Sequence, residues 1–323
     1  MSPGPTDRAG HVWVDGEILA ADERHISAFD RGFQLGDGVF ETLRARAGRP
    51  TELDAHIARL HRSAGGLDIA LPDDVDARLT RGITDLLAAA GLDGPDGDAS
   101  IRITVSRGAY RTRGVLPPAE DVPATIVIQA WPVTAAPTDH LERGLHLVAS
   151  SVRRDPQNPL ATLKTTSRAE YVYARLEARR AGADDALFFT VDDELSEGTS
   201  ANIFLIRRAD DGLGELATPS LDCAILPGTT RSWLLGWAER VGLRPVEGRF
   251  RRADVAAAEE AFLSSSVAGI LPVTAFDGMP IGTGRPGPWT LRARAAREAM
   301  IRLGADGRDD GDGGDGGDGG GGA

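Results

Sequence analysis

Residues 132–138, PVTAAPT, divide this chain into two stretches that have to fold on their own. The segment is small and polar, with a proline at its start and another near its end. Proline donates no backbone hydrogen bond and disfavours helix in the residue before it, so neither a helix nor an interior strand runs through such a segment. Each flank must then close its own apolar core, and 323 residues are enough for two. We read residues 1–131 as a small N-terminal domain, 132–138 as an interdomain linker, and 139–304 as a larger domain. Residues 305–323 carry six aspartates among glycines and no sizeable apolar side chain, so a disordered tail is expected there.

Both flanks mix strand and helix signals, which makes the fold class α+β. HVWVDGEIL alternates around Asp15-Gly16, a hairpin signal. GVFETLRAR, SIRITVSR and ATIVIQAW read as further strands, and TELDAHIARLHRSAGGL as a helix capped by Thr51. DDVDARLTRGITDLLAAAGL is a second amphipathic helix. In the second flank GLHLVAS is a strand, and TSRAEYVYARLEARRAG is a helix. DDALFFTVDDELSEGTSANIFLI reads as a hairpin pair of strands, and AEEAFLSSSVAGILPV as one more strand. Helices GTTRSWLLGWAERVGL and PWTLRARAAREAMIRLG complete the fold.

The net charge is −12, of which the tail contributes −5. An acidic body argues against nucleic acid as a partner, since phosphate backbones need a basic face. Cys223 is alone, which excludes a disulfide framework and a thiolate metal cluster. The N-terminus lacks a signal-peptide pattern, and no apolar run approaches the ~20 residues of a membrane span. A cytoplasmic protein that touches no membrane is the expectation.

Lys164 is the only lysine among 36 basic residues. A guanidinium effectively never loses its proton, whereas an amine can, and only the free amine attacks a carbonyl. The lysine sits in NPLATLKTTSR, at the end of a turn-rich loop directly before a helix. Glu197 follows in LSEGTSAN. AILPGTTR is a Pro-Gly turn opening a helix with Thr229 and Thr230 at its start, where free N–H groups and the macrodipole favour an anion. FLSSSVAGI adds three consecutive serines. An amine, a carboxylate and two hydroxyl-rich cradles are what pyridoxal 5′-phosphate requires: a Schiff-base partner, a partner for the pyridine nitrogen, and a phosphate site.

From about His11 to Leu303 the sequence resembles the fold-type IV (class IV) pyridoxal-phosphate enzymes, namely branched-chain aminotransferases, D-amino-acid aminotransferases and aminodeoxychorismate lyases. DRGFQLGDGVFETLR is similar to their N-terminal strand motif, KTTSR to the segment of the Schiff-base lysine, and LSEGTSANIF to their most diagnostic stretch. The resemblance implies a small N-terminal α/β domain, a larger domain with a β-barrel-like core flanked by helices, and a homodimer. It makes Lys164 the catalytic residue and the Schiff-base partner. Arg59 in HIARLHRSA is implied at the phosphate, with Thr229, Thr230 and Ser266, and Val267 beside them; Glu197 is implied at the pyridine nitrogen. The implied reaction is ping-pong transfer of an amino group between an amino acid and a 2-oxo acid, of branched-chain or D-amino-acid type. The alternative is a 4-amino-4-deoxychorismate lyase releasing pyruvate and 4-aminobenzoate.

The substrate-holding residues match no single subgroup. Strand alternation puts Phe40, Thr42 and Arg44 on the face that the family turns toward substrate, and Arg102 stands on SIRITVSR. Where branched-chain enzymes carry two tyrosines, this chain has Ser100 and Ala169, the latter preceded by Arg168. The loop SRGAYRTRGVLPP offers Arg111 and Arg113 in the place of the D-amino-acid enzymes' Arg-x-His clamp. Our expectation is that Arg111 or Arg113 reaches the substrate, with Arg44 and Arg102 as the alternatives.

Overall fold

The computed structural model describes residues 9–117, 122–134, 137–209 and 211–305. Part of the expected linker, 135–136, and the tail beyond 305 lie outside them.

The first sheet has six strands in the order β2-β1-β6-β5-β3-β4, all antiparallel. These are β1 (His11–Val14), β2 (Glu17–Ala20), β3 (Gly38–Arg46), β4 (Arg49–Pro50), β5 (Asp98–Ser106) and β6 (Thr125–Pro132). A short helix α1 (Arg31–Leu35) leads into β3, and α2 (Leu53–Gly65) and α3 (Val75–Ala89) cover one face. Period-2 alternation explains the burial: Val39, Leu43 and Ala45 join Ile57, Leu60, Leu79 and Ile83 in one core. The intervening Phe40 and Thr42 point the other way, toward a cavity. α2 starts at Leu53, and its N-cap is Glu52 in a left-handed conformation rather than Thr51; the Glu52 carboxylate accepts from Arg297.

The second sheet has nine strands. They are β7 (Leu145–Arg154), β8 (Asp185–Thr190), β9 (Leu195–Gly198), β10 (Asn202–Arg208), β11 (Gly214–Pro219), β12 (Arg244–Gly248), β13 (Glu260–Ser265), β14 (Gly269–Phe276) and β15 (Met279–Pro280). The path runs β12-β11-β10-β13-β14-β7-β8-β9, with β15 on β14. It curls until β9 approaches β10. Helices α4 (Thr138–Glu142), α5 (Ala169–Arg180), α6 (Thr229–Arg240), α7 (Arg252–Ala257) and α8 (Pro288–Ala305) flank it. The segment 185–208 forms three strands, not a hairpin pair: β9 folds back on β8, while β10 pairs with β11 and β13. Residues 260–276 likewise make two strands, β13 and β14, because the turn at 266–268 reverses the chain. Among the described residues, no helix is long and apolar enough to cross a membrane.

Candidate active site

A cavity of about 580 Å³ lies between the two sheets, lined by β3, β5, β9, α5, the start of α6 and the 264–268 turn. β4 covers only the far end of β3, so the end at Gly38–Phe40 is an open edge. The lysine segment fills it. Phe40 N–H donates to the Lys164 carbonyl at 2.9 Å, and Thr166 N–H donates to the Gly38 carbonyl at 2.8 Å. A Cβ on Gly38 would sit 2.7 Å from the Val105 carbonyl of β5 and 3.2 Å from Thr166 Oγ1, so glycine lets β5 and the lysine segment both lie close here. Lys164 N–H is anchored to Ser63 Oγ at 3.1 Å.

The Lys164 amine lies 4.6 Å from the centroid of the Phe40 ring and forms no ion pair or hydrogen bond among the described residues. Burial, with the nearby Arg59 charge, lowers its pKa to about 8 despite the opposing pull of Glu41. Glu197, on β9, is buried in the same cavity, and burial raises its carboxyl against the charge of Arg154 and the N–H of Leu226. Its donors, Leu226 N–H at 3.0 Å and Asn202 Nδ2 at 3.3 Å, both go to Oε2. Oε1 accepts no hydrogen bond among the described residues. Asn202 also donates to the Leu226 carbonyl at 3.0 Å, which ties Glu197 to the Pro-Gly turn.

That turn ends at Gly228, the N-cap of α6, which has no side-chain cap and no acid in its first turn. Its free N–H groups open on the cavity beside Thr229 Oγ1 and Ser266 Oγ, which are 3.2 Å apart. Thr230 and Val267 line the same end, although the Thr230 hydroxyl already accepts from Arg297. Arg59 also lines it, held by a feature that sequence reasoning missed. Glu41, on the core face of β3, accepts both Nε and Nη2 of Arg59 at 2.7 Å and bonds His56 Nδ1 at 2.7 Å. Burial would raise the Glu41 carboxyl, but the Arg59 and His56 bonds outweigh it and hold it at about 2. Arg59 Nη1 donates to the Pro227 carbonyl, which leaves one Nη1 hydrogen for a ligand. A carboxylate amid Val39, Leu43 and Ala45 was the legible sign of a buried partner.

The expected substrate arginines separate. Arg102 lines the cavity, its guanidinium 3.9 Å from the Phe40 centroid. Arg44 does not: it lies further along β3, bidentate to Asp98 at 2.7 Å and bonded to Glu298 at 2.8 Å. These carboxylates raise its pKa and occupy its fork. Arg111 and Arg113 are exposed on the loop after β5 and do not line this chain's cavity. Arg168 and Tyr171, not among the expected site residues, do line it.

The family described as Amino-transferase class IV matches residues 38–276. A branched-chain-amino-acid aminotransferase of Pseudomonas aeruginosa is 30% identical over 298 residues, spanning 90% of this chain and 92% of that one. A D-alanine aminotransferase of Bacillus licheniformis is 29% identical over 293 residues, spanning 90% and 96%. The crystal structure of a T.th. branched-chain amino acid aminotransferase with pyridoxamine 5′-phosphate superposes with a TM-score of 0.82 at 27% identity, over 94% of this chain and 96% of that one. This chain belongs to the class IV aminotransferases, and its activity is pyridoxal-phosphate-dependent amino transfer.

Proposed function

We propose that the cavity exchanges an amino group between an amino acid and a 2-oxo acid, with Lys164 moving the proton at the substrate Cα and Arg102 receiving a substrate carboxylate. The observation that carries this is a half-buried amine that forms no ion pair among the described residues, lining the same cavity as a buried carboxylate with an idle oxygen. Pyridoxal 5′-phosphate fits the groups present: it supplies a ring that accepts the electron pair left when the Cα–H bond breaks. The α6 N–H groups, Thr229, Ser266 and the spare Arg59 hydrogen would hold its phosphate, and Glu197 Oε1 would accept from its ring nitrogen. Lys164 then serves as base toward Cα and as acid in the return step. Phe40 and Tyr171 restrict water around the reacting atoms, and Arg102 fixes the substrate by one end.

The related proteins named above are aminotransferases, which favours amino transfer over elimination of pyruvate. Incubating the purified holoenzyme with L- and D-amino acids, each with pyruvate or 2-oxoglutarate, tests the reading. A new amino acid formed from the 2-oxo acid is the expected result. Release of pyruvate from 4-amino-4-deoxychorismate, with no amino transfer, would favour the lyase instead.

We also infer a homodimer. Ile26, Phe29, Phe33 and Leu35 are exposed, as are Val115 and Leu116. Arg31 binds the two segments by donating to the Gly114 and Val115 carbonyls. A tied apolar patch of this kind marks an interaction surface.

A further inference from the structure

Among the described residues the largest fully buried side chain is a cation, Arg297 on α8. Its fork closes on the Glu52 carboxylate, with Nη1 and Nη2 each donating to one oxygen at 2.8 Å. Nη2 also donates to Thr230 Oγ1 at 3.3 Å, and the guanidinium lies 5.3 Å from the centroid of Trp233 on α6. The pair spans 245 residues and joins the start of α2, in the first half of the chain, to α8 and α6 in the second. Neither member serves its own helix. Glu52 stands at the N-cap of α2 yet makes no side-chain cap hydrogen bond, and its φ of 54° is a left-handed conformation that only glycine adopts freely. Arg297 is fully desolvated, and its Nε has no hydrogen-bond partner among the described residues, a cost that an apolar pair would not carry. A strained backbone and a desolvated charge at one contact mark a place where position counts for more than stability.

We propose that Arg297 is a positioning residue for the cofactor phosphate: through Glu52 and Thr230 it aligns the two arms of the anion cradle, α2 with Arg59 and the start of α6. This rests on the reading of that end of the cavity as the phosphate site. On one arm, α2 runs from Glu52 through His56, whose N–H donates to the Glu52 carbonyl at 3.1 Å, to Arg59 a turn further on. A helix is stiff over so short a span. Pinning Glu52 therefore sets the rotation and height at which Arg59 meets the Pro227 carbonyl and presents its spare hydrogen. On the other arm, arginine has donors only, so Thr230 Oγ1 accepts, and no acceptor among the described residues takes its own proton. That proton is left for a ligand. The Glu52–Arg297 pair is itself neutral, so what it gives the cradle is geometry rather than charge.

The test compares pyridoxal 5′-phosphate with pyridoxal, which keeps the ring and aldehyde but lacks the phosphate. Each is titrated into the cofactor-free full chain and followed by absorbance. Arg297→Met should weaken binding of the phosphate ester roughly ten- to hundredfold, the worth of one misaligned charge-assisted contact, and leave pyridoxal within about threefold. Loosening of the fold alone would weaken both ligands alike. Arg297→Lys restores the charge but not the fork, and should recover part of the preference. The double variant Glu52→Gln with Arg297→Met removes both charges and should still lack the preference. A preference restored there would assign the loss to an unpaired Glu52 charge and overturn the proposal. Equal losses for both ligands, or an unchanged ratio, in Arg297→Met also overturn it. If Arg297→Met does not fold, the double variant and Arg297→Lys decide in the same sense. A wild-type chain that binds the two ligands equally refutes the phosphate site itself, and the proposal with it.

Discussion

At the scale of single residues, one lysine among 35 arginines stands out in the sequence because its chemistry is not exchangeable, and it lines the cavity. Lys164→Ala should remove the visible absorbance of the bound cofactor and stop amino transfer; a variant with the wild-type spectrum and rate would refute the site. Its lowered pKa sets a pH dependence with a definite sign. Below about 8 the amine is mostly protonated and cannot attack; above it the neutral form dominates. Capture of pyridoxal 5′-phosphate by apoenzyme should therefore speed up as pH rises through about 8, measured by stopped-flow absorbance, and the inflection should vanish in Lys164→Ala. Glu197→Gln should keep cofactor but slow Cα–H removal by roughly one to two decades, for a lost charge-assisted contact of about 1.5–3 kcal/mol. Arg44 was misplaced because alternation tells which face a side chain takes, not what waits for it. Asp98 and Glu298 come from 54 and 254 residues away, and no local pattern announces them. Arg168 closes the KTTSR segment, but the resemblance attaches a role only to its lysine.

At the scale of elements, hairpin and amphipathic patterns were legible wherever one face is buried and the other wet. They failed where strands are buried on both faces, as in 185–208, since continuous apolar runs carry no period to count. The turn before α6 offers a sharper test of element geometry. A Cβ on Gly228 would come within 2.1 Å of Asn202 Oδ1, the amide that holds Glu197 and Leu226 together. Gly228→Ala should displace Asn202, weaken cofactor affinity and slow turnover, while Gly65→Ala, which meets nothing within 4 Å, should change neither. Equal behaviour of the two variants, by cofactor titration, would remove Asn202 from the support of Glu197.

At the scale of the whole molecule, the patch around Phe33 is expected to vanish into a dimer contact. Phe33→Asp should shift the protein from dimer toward monomer in analytical ultracentrifugation; an unchanged mass would place the contact elsewhere. The lysine segment joins the two halves differently. Its carbonyl and amide groups extend the open edge of β3, while its amine and Glu197 line the cavity between the two sheets. Whatever occupies the cavity therefore binds only the docked arrangement of the halves, and at a hundredfold excess over its Kd stabilises that arrangement by about 2.7 kcal/mol. The cofactor is thus also a latch: stripped protein should be nicked by trypsin near the Lys164 bond well before the loaded enzyme yields a single fragment.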